Sequence, residues 1–405
     1  MKYPFQPELL DALPEELAEL FRGLELTLLE EIASRLRATG QLNEVTVSDI
    51  KALRAHGISL EEIEKAIRET TGISEKKLAE LLDDVVERNQ AYYSELITLA
   101  GITKPEHLID IEDMLVIYEQ TRQELRNITR SMGFLVNNGR TMLPPAKAYQ
   151  WALDSALLQV QSGAISYNQA IANATRQLAD SGLMVAYDKD GNIRKNYVKY
   201  ESGHVNRVDV SVRRAVISGV TQISDKYTEK SAEELGTRYY EISAHAGARD
   251  KPYPNPWSSH KAWQGRVYYD SEHGEPDPLG LYRDLHDVTG YMEVDGLCGA
   301  NCRHRRYPFL PGISERTYTN EQLANIDPPP FEYEGKTYTH YEATQKQRQI
   351  ENAVRHWKRR AAAATNDEDK QAAQIHIRRL NEKYEEFSNA AGLRTQRERM
   401  NVYFP

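Results

Sequence analysis

Side chains that could catalyse a reaction or bind a metal are concentrated between residues 239 and 318. They fall in three stretches, SAHAGARD (243–250), HKAWQG (260–265) and GLCGANCRHRRYPF (296–309). The chain around them is rich in Gly and Pro, and polar groups in such irregular segments must bond to each other or to water. We therefore expect the three stretches to meet in one compact cluster. The candidate site residues are His245, Arg249, His260, Gln264, Arg266, Asn301, Cys302, Arg303 and His304.

The third stretch places three residues of zinc-ligand type close together, Cys298, Cys302 and His304, and His245 or His260 could supply a fourth. Zinc takes four nitrogen or sulfur ligands, often with two cysteines two to four residues apart. A second cysteine pair is absent from the sequence. The alternative is that both cysteines pack as small apolar side chains and that the histidine is hydrogen-bonded. We predict no cofactor, with zinc as the alternative.

A catalytic role is the second interpretation of the same residues. His245 and His260 could form a general acid–base pair, with Arg249 and Arg266 stabilising charge during phosphodiester cleavage. Cys302 is a candidate nucleophile. The sequence has no metal-binding carboxylate pair beside these residues, no phosphate-binding glycine loop and no G-x-S-x-G elbow. We therefore expect these residues to maintain an irregular fold, and an enzyme of nuclease or transferase type is the alternative.

Binding to DNA is the third interpretation. Three arginines near position 305 have Tyr307 and Phe309 beside them, and a second basic run lies near position 359. Such groups neutralise phosphates without reading sequence, and no helix-turn-helix or zinc-finger pattern accompanies them. The alternative is charge that is solvated or paired inside the protein. The candidate DNA-binding residues are Arg303, Arg305, Arg306, Lys358, Arg359 and Arg360.

Composition limits the class of protein. The chain has 405 residues, of which 40% are hydrophobic and 27% charged, which is typical of globular proteins and excludes a disordered chain. No apolar run is long enough to span a membrane, and the N-terminus lacks the pattern of a secretory signal. The net charge is −9, with an acidic N-terminal third and a basic C-terminal tail. Two cysteines cannot form a disulfide scaffold, which favours a reducing compartment.

The hydrophobic pattern predicts an α+β, mostly helical fold. Apolar residues from Leu17 to Leu36 recur at helical spacing, and Gly72 is expected to end a short helix. A β-hairpin is expected around the Asp188–Gly191 turn. We predict three regions: 1–140, an all-α region; 141–330, a core with a small central β-sheet and long motif-bearing loops; and 331–405, a C-terminal helical hairpin.

The three motif stretches together resemble the phage minor capsid protein 2 family, which is related in role to the MuF-like head-morphogenesis proteins. Two flanking segments are also similar, RVDVSVRRAVISGVTQ (207–222) and YEATQKQRQIENAVRHWKRR (341–360). The resemblance covers about residues 140–400. Ala300 departs from it, because related sequences often have Pro at that position of the Gly-x-Asn-Cys-Arg-His run.

The resemblance implies a minor structural protein in the head of a tailed phage or prophage. It implies a place near the portal vertex in the head interior, after assembly in the host bacterial cytoplasm. The expected partners are portal, coat or scaffold proteins and packaged DNA bound without sequence specificity, and no membrane is expected. The alternative is a virion-borne enzyme that uses the His/Arg/Cys cluster.

Overall fold

The computed structural model describes residues 3–40, 61–103, 107–136, 141–162, 165–186, 205–271, 274–299 and 301–402. The described chain is mostly helical with small antiparallel sheets, which confirms the predicted α+β class. The helices are α1 Pro7–Ala12, α2 Glu15–Gly40, α3 Glu61–Leu99, α4 Ile111–Ser131, α5 Pro145–Gln161, α6 Tyr167–Ser181, α7 Val208–Leu235, α8 His260–Trp263, α9 Leu285–Thr289, α10 Asn320–Ala324, α11 His340–Ala362 and α12 Asp367–Ala390.

The strands are short and pair antiparallel. They are β1 Met132–Val136, β2 Thr141–Leu143, β3 Leu183–Ala186, β4 Val205–Arg207, β5 Tyr239–Ile242, β6 Val267–Tyr269, β7 Arg306–Phe309, β8 Phe331–Tyr333 and β9 Lys336–Tyr338. Among the described residues, none of the helices combines the length and the apolar character that crossing a membrane requires.

The chain divides into two compact units. Unit 1 comprises Met1–Pro14, Leu78–Thr121 and Arg214–Lys346, and unit 2 comprises Glu15–Lys77, Arg122–Arg213 and Gln347–Pro405. Each unit contains residues from more than one of the three regions predicted from the sequence. The boundaries 1–140, 141–330 and 331–405 stay a prediction.

Unit 1 contains the three-stranded sheet with strand order β6-β5-β7. Tyr240 lies opposite Tyr268 on one neighbouring strand and opposite Pro308 on the other. On this sheet, Ile242 and Trp263 are buried in one apolar cluster together with Leu285, Leu297 and Cys302. The loops that connect β5 to β6 and β6 to β7 are much longer than the strands, and most of the motif residues lie in these loops.

Unit 2 contains the four-stranded sheet with strand order β2-β1-β3-β4, against which α6 packs. The expected amphipathic helix is α2, whose Leu17, Phe21 and Leu36 are fully buried. The predicted C-terminal helical hairpin is the pair α11 and α12. Trp357 of α11 stacks on His376 of α12 with ring centroids 3.8 Å apart.

Two local expectations have a different outcome. Gly72 does not end a helix but lies within α3, where Ser74 donates a hydrogen bond to the carbonyl of Thr71 at 2.8 Å. Apolar residues are buried on both sides of the glycine, Ile63 and Leu78 among them. The burial of this apolar face outweighs the low helix propensity of glycine. The expected hairpin contributes β3, but its Asp188–Gly191 turn lies outside the described residues.

A tight turn in unit 1 requires glycine at position 296. The amide of Leu297 bonds the carbonyl of Thr289 at 2.9 Å, which brings residue 296 close to the end of α9. A Cβ atom on Gly296 would lie 1.9 Å from the carbonyl oxygen of Gly290. Because the clash is with backbone, no side-chain rotation relieves it.

We therefore expect Gly296→Ala to lower the free energy of unfolding by about 1–3 kcal/mol. Gly72→Ala is the matched control, since nothing lies within 4 Å of its added Cβ and it sits in a helix. It should raise the free energy of unfolding by about 0.5–1 kcal/mol. Urea unfolding followed by circular dichroism measures both. Equal midpoints for Gly296→Ala and the wild type would contradict the expected clash.

Candidate functional site

The ends of the three-stranded sheet bring the motif stretches of unit 1 together. The first stretch follows β5 and the third leads into β7, so Ser243 lies beside Arg305. The amide of Ser243 bonds the carbonyl of Arg305 at 2.9 Å, and its hydroxyl accepts a bond from the Arg305 amide at 2.9 Å. The second stretch contains α8 and leads into β6, and the amide of Ile242 bonds the carbonyl of Arg266 at 2.9 Å. Strand pairing therefore decides which loop residues meet.

Three histidines from the three stretches form a buried cluster. The ring of His304 stacks on that of His245 at 4.4 Å between centroids and meets that of His260 edge-on at 5.3 Å. Trp263 covers the same ring at 4.9 Å. His304 is 1% exposed and the other two histidines are also buried. We call His245, His260, His304, Gln264 and Cys302 the histidine cluster.

Each histidine ring has one nitrogen bound to an oxygen that can only accept. Nδ1 of His245 lies 2.8 Å from the carbonyl of Ala246, and Nε2 of His260 lies 2.9 Å from the carbonyl of Asp295. Nε2 of His304 lies 2.9 Å from Oε1 of Gln264. A carbonyl or amide oxygen accepts a hydrogen bond and has no proton to donate. These three nitrogens therefore carry the protons.

The cluster is uncharged near neutral pH. Burial, together with the positive charge of Arg303, lowers the pKa of His245 to about 3. Burial is also the main cause that lowers the pKa of His260 to about 4 and that of His304 well below its usual value. Each ring therefore has one nitrogen that carries a proton and one nitrogen that carries a lone pair.

The Cys302 thiol lies within this cluster. Its Sγ is 3.7 Å from Nδ1 of His304, the nitrogen that carries the lone pair. Burial raises the pKa of the Cys302 thiol, so it is protonated, and this nitrogen and the carbonyl of His304 at 3.9 Å are both within reach of its weak S–H donor. A nucleophilic cysteine needs a lowered pKa and an exposed sulfur, and Cys302 has neither.

The predicted metal-ligand set changes by one member. One ligand atom from each of His260, Cys302 and His304 lies within 4.8 Å of the other two. Among the described residues Cys298 does not belong to such a group. Cys298 instead packs at the edge of the apolar cluster beside Leu297. In the expected set of Cys298, Cys302 and His304, His260 of α8 therefore takes the place of Cys298.

Of the other predicted site residues, two arginines contact groups near the cluster and two residues are exposed. Nη1 of Arg249 lies 3.4 Å from the carbonyl of Asp295, which also accepts from His260. Nη1 of Arg303 lies 3.8 Å from the carboxylate of Asp11. Arg266 and Asn301 are exposed and do not belong to the buried cluster, and a place for Asn301 beside it stays a prediction.

Asp295 is an organising residue that the sequence pattern did not reveal. Its carboxylate accepts bonds from Asn255 at 3.1 Å, from the indole of Trp257 at 3.1 Å and from the hydroxyl of Ser258. Burial raises the pKa of Asp295, but these hydrogen bonds outweigh that effect and lower it. A single Asp before a Gly is a common turn signal, so nothing local distinguished it.

Two of the predicted DNA-binding arginines are buried in unit 1. Nε of Arg306 bonds Asp225 at 2.8 Å, and its guanidinium lies 4.5 Å from the ring centre of Tyr240 and 4.4 Å from that of Tyr291. Arg305 donates to the hydroxyl of Thr221 at 2.9 Å. Arg306 is 2% exposed and Arg305 is 4% exposed. The prediction of DNA contact by Arg305 and Arg306 is corrected, because both charges are used inside the protein.

The same correction applies to Arg359 in unit 2. It is buried, and its Nε donates to the carbonyl of Ala179 at 2.9 Å while Nη1 lies 3.7 Å from Glu25. Its neighbours keep part of their surface exposed. Arg360 bonds Asp180 at 2.7 Å and Lys358 bonds the carbonyl of Met400 at 2.5 Å.

We expect Arg306→Ala to lower the free energy of unfolding by about 3–5 kcal/mol, because it leaves Asp225 without its buried counter-charge. Arg266→Ala is the matched control, an exposed arginine that directly precedes β6 of the same sheet, and should change stability by less than about 0.5 kcal/mol. Urea unfolding of both variants measures the difference. Near-wild-type stability of Arg306→Ala would refute a structural role for this charge.

Comparison with known proteins gives two matches. The family model described as phage minor capsid protein 2 matches residues 5–389, which extends the resemblance beyond the motif stretches into the N-terminal helices. A protein of Lactococcus phage LL-H named "Structural protein" is 23% identical over 295 residues, covering 71% of this chain and 70% of that protein. No solved structure matches the chain. Because the family model spans nearly the whole sequence, this chain belongs to the phage minor capsid protein 2 family.

Proposed function

We propose that this phage structural protein acts in the head interior near the portal vertex by binding other virion components rather than by catalysing a reaction. One observation carries the proposal: the histidine cluster, which is the best chemical candidate in the chain, has its donors bonded to fixed internal oxygens. A general acid or base must reach a proton on a substrate. His245, His260 and His304 are buried and face one another instead. The Cys302 thiol, with its raised pKa, is equally unsuited to attack a substrate.

The loops of unit 1 provide surface for a protein partner. Large apolar side chains are strongly exposed there: Tyr253 at 84%, Leu281 and Val294 at 75%, and Ile313 at 79%. Exposed apolar groups on ordered loops commonly mark contact surfaces for other proteins. We assign these loops to contacts with portal, coat or scaffold proteins.

Contact with packaged DNA is the second part of the proposal, and it rests on the basic side chains that keep some exposure. They are Arg303, Lys358 and Arg360 among the predicted residues, and Arg378 and Arg379 on α12. Binding through such groups neutralises phosphates and does not depend on sequence. The count is small, so the expected affinity is low at physiological salt.

The place in the virion is tested by quantitative mass spectrometry and cross-linking of purified particles. We expect a copy number near that of the portal protein and far below that of the major coat protein, with cross-links from the 250–313 loops to the portal. Asp substitution at both Leu281 and Val294 should weaken incorporation, whereas Asp substitution of the exposed Leu158 in unit 2 serves as the control. A coat-like copy number, or cross-links to coat protein alone, would exclude the portal-vertex role.

The contact with DNA is tested by affinity measurements across a salt series. Replacing Arg303, Lys358 and Arg360 together by Ala should make the log–log salt dependence less steep by roughly 3, since each lost phosphate contact accounts for about 0.9. Replacing Lys65 and Arg68, two exposed residues of α3, should leave it unchanged. An unchanged slope in the triple variant would assign the basic residues to protein partners. Cleavage of the DNA during the assay, lost in His304→Gln, would instead support the enzyme alternative.

A further inference from the structure

We propose that His260, Cys302 and His304 bind one zinc ion inside unit 1. The three side chains come from two separate motif stretches, and their ligand atoms lie within 4.8 Å of one another in a buried position. Two imidazoles and one sulfur are a ligand set that suits zinc and does not suit calcium or magnesium, which prefer oxygen. The proposal does not depend on the portal or DNA role, because it concerns what stabilises the motif loops.

The distance between two of the ligand atoms fits this ion. A tetrahedral zinc with bonds of about 2.3 Å to sulfur and about 2.0 Å to nitrogen separates those atoms by about 3.5 Å. Sγ of Cys302 and Nδ1 of His304 are 3.7 Å apart. The two side chains therefore need to move by only a few tenths of an ångström to share a metal.

The outer contacts orient both histidines for binding. A metal-bound histidine usually donates its other N–H to a carbonyl or carboxylate, which fixes the tautomer. Nε2 of His260 bonds the carbonyl of Asp295, and Nε2 of His304 bonds the side-chain oxygen of Gln264. Both bonds leave Nδ1 as the nitrogen that offers a lone pair. Gln264 is held in turn by the amide of His245 at 3.1 Å.

The number of protons released on zinc binding follows from which ligand atoms carry a proton. Nε2 of each histidine keeps its proton in the bond to Asp295 or Gln264, so Nδ1 can bind zinc through its lone pair without the loss of a proton. The Cys302 thiol exchanges its S–H bond for a sulfur–zinc bond and releases one proton to solvent. His245 is not among the three ligands, so the fourth tetrahedral position would be left for a water molecule, as in zinc sites with three protein ligands.

Such an ion would explain how this loop system keeps its shape. The segment between β5 and β7 contains one short strand and only short helices, and its Cys302 and His304 lie far along the chain from His260. A metal that joins α8 to the start of β7 would stabilise the folded state over the unfolded chain, in which the three ligands are apart.

Cobalt binding to the full-length protein tests the proposal, because Co²⁺ replaces zinc and reports a thiolate ligand by its charge-transfer absorption. After treatment with a chelator, the wild type should bind one Co²⁺ per chain with this absorption, release one proton, and lose the absorption when one equivalent of Zn²⁺ is added. Zn²⁺ should also raise the midpoint of thermal unfolding. A folded wild type that shows no thiolate–cobalt absorption overturns the proposal, whatever the variants do.

The two cysteines provide a matched pair of variants. Cys298→Ser removes the cysteine outside the ligand group and should keep the cobalt absorption and the thermal shift. Cys302→Ser should lose both, and circular dichroism checks that it is folded. Absorption that survives in Cys302→Ser but disappears in Cys298→Ser would overturn the assignment of ligands. Should Cys302→Ser fail to fold, His260→Gln replaces it, with an unchanged cobalt spectrum as the contradicting result.

Discussion

The buried charge of Arg306 and its carboxylate partners hold β7 of unit 1 against α7. A cation removed from water costs several kcal/mol unless a counter-charge and hydrogen bonds surround it. Arg306, at the start of β7, meets this requirement through Asp225 and Glu229, and Arg305 bonds Thr221. These three residues of α7 are spaced four apart, so they lie on one face of the helix. The arginines thereby fix β7 and the loop before it against α7.

That placement determines what the neighbouring motif residues can do. The loop that enters β7 carries Cys302 and His304 into the protein interior, where burial keeps the thiol protonated and the imidazole neutral. Arg303 nearby opposes a second positive charge on the histidines. The cluster therefore offers lone pairs without ionised groups. This state suits hydrogen bonding and metal binding better than acid–base catalysis.

The buried residues and the surface residues of this phage minor capsid protein 2 family member differ in chemical character. The residues that give the three stretches their unusual composition are mostly buried, so their types are explained by the internal demands of a loop-rich fold. The surface instead presents apolar loop residues such as Leu281 and Ile313, together with scattered basic groups. We propose that the surface recognises other virion components, whereas the buried motif residues maintain the fold.

Local pattern was sufficient for several features of this protein. Apolar periodicity predicted α2 and the hairpin of α11 and α12, because a helix that buries one face repeats its apolar residues along the sequence. The motif stretches together indicated the family. The gathering of the histidines followed from the need of polar groups in irregular chain to find partners.

Only the tertiary structure shows which of the charged side chains are buried and which lie at the surface. Arg305, Arg306 and Arg359 resemble surface cations in sequence, but their partners are Thr221, Asp225 and Glu25, which are distant along the chain. The sequence pattern also did not show that His260, and not Cys298, belongs to the ligand group. Nor did it show that Asp295 holds the loop residues Asn255, Trp257 and Ser258. Contacts between residues far apart in sequence leave no periodic signal, so only the folded chain shows them.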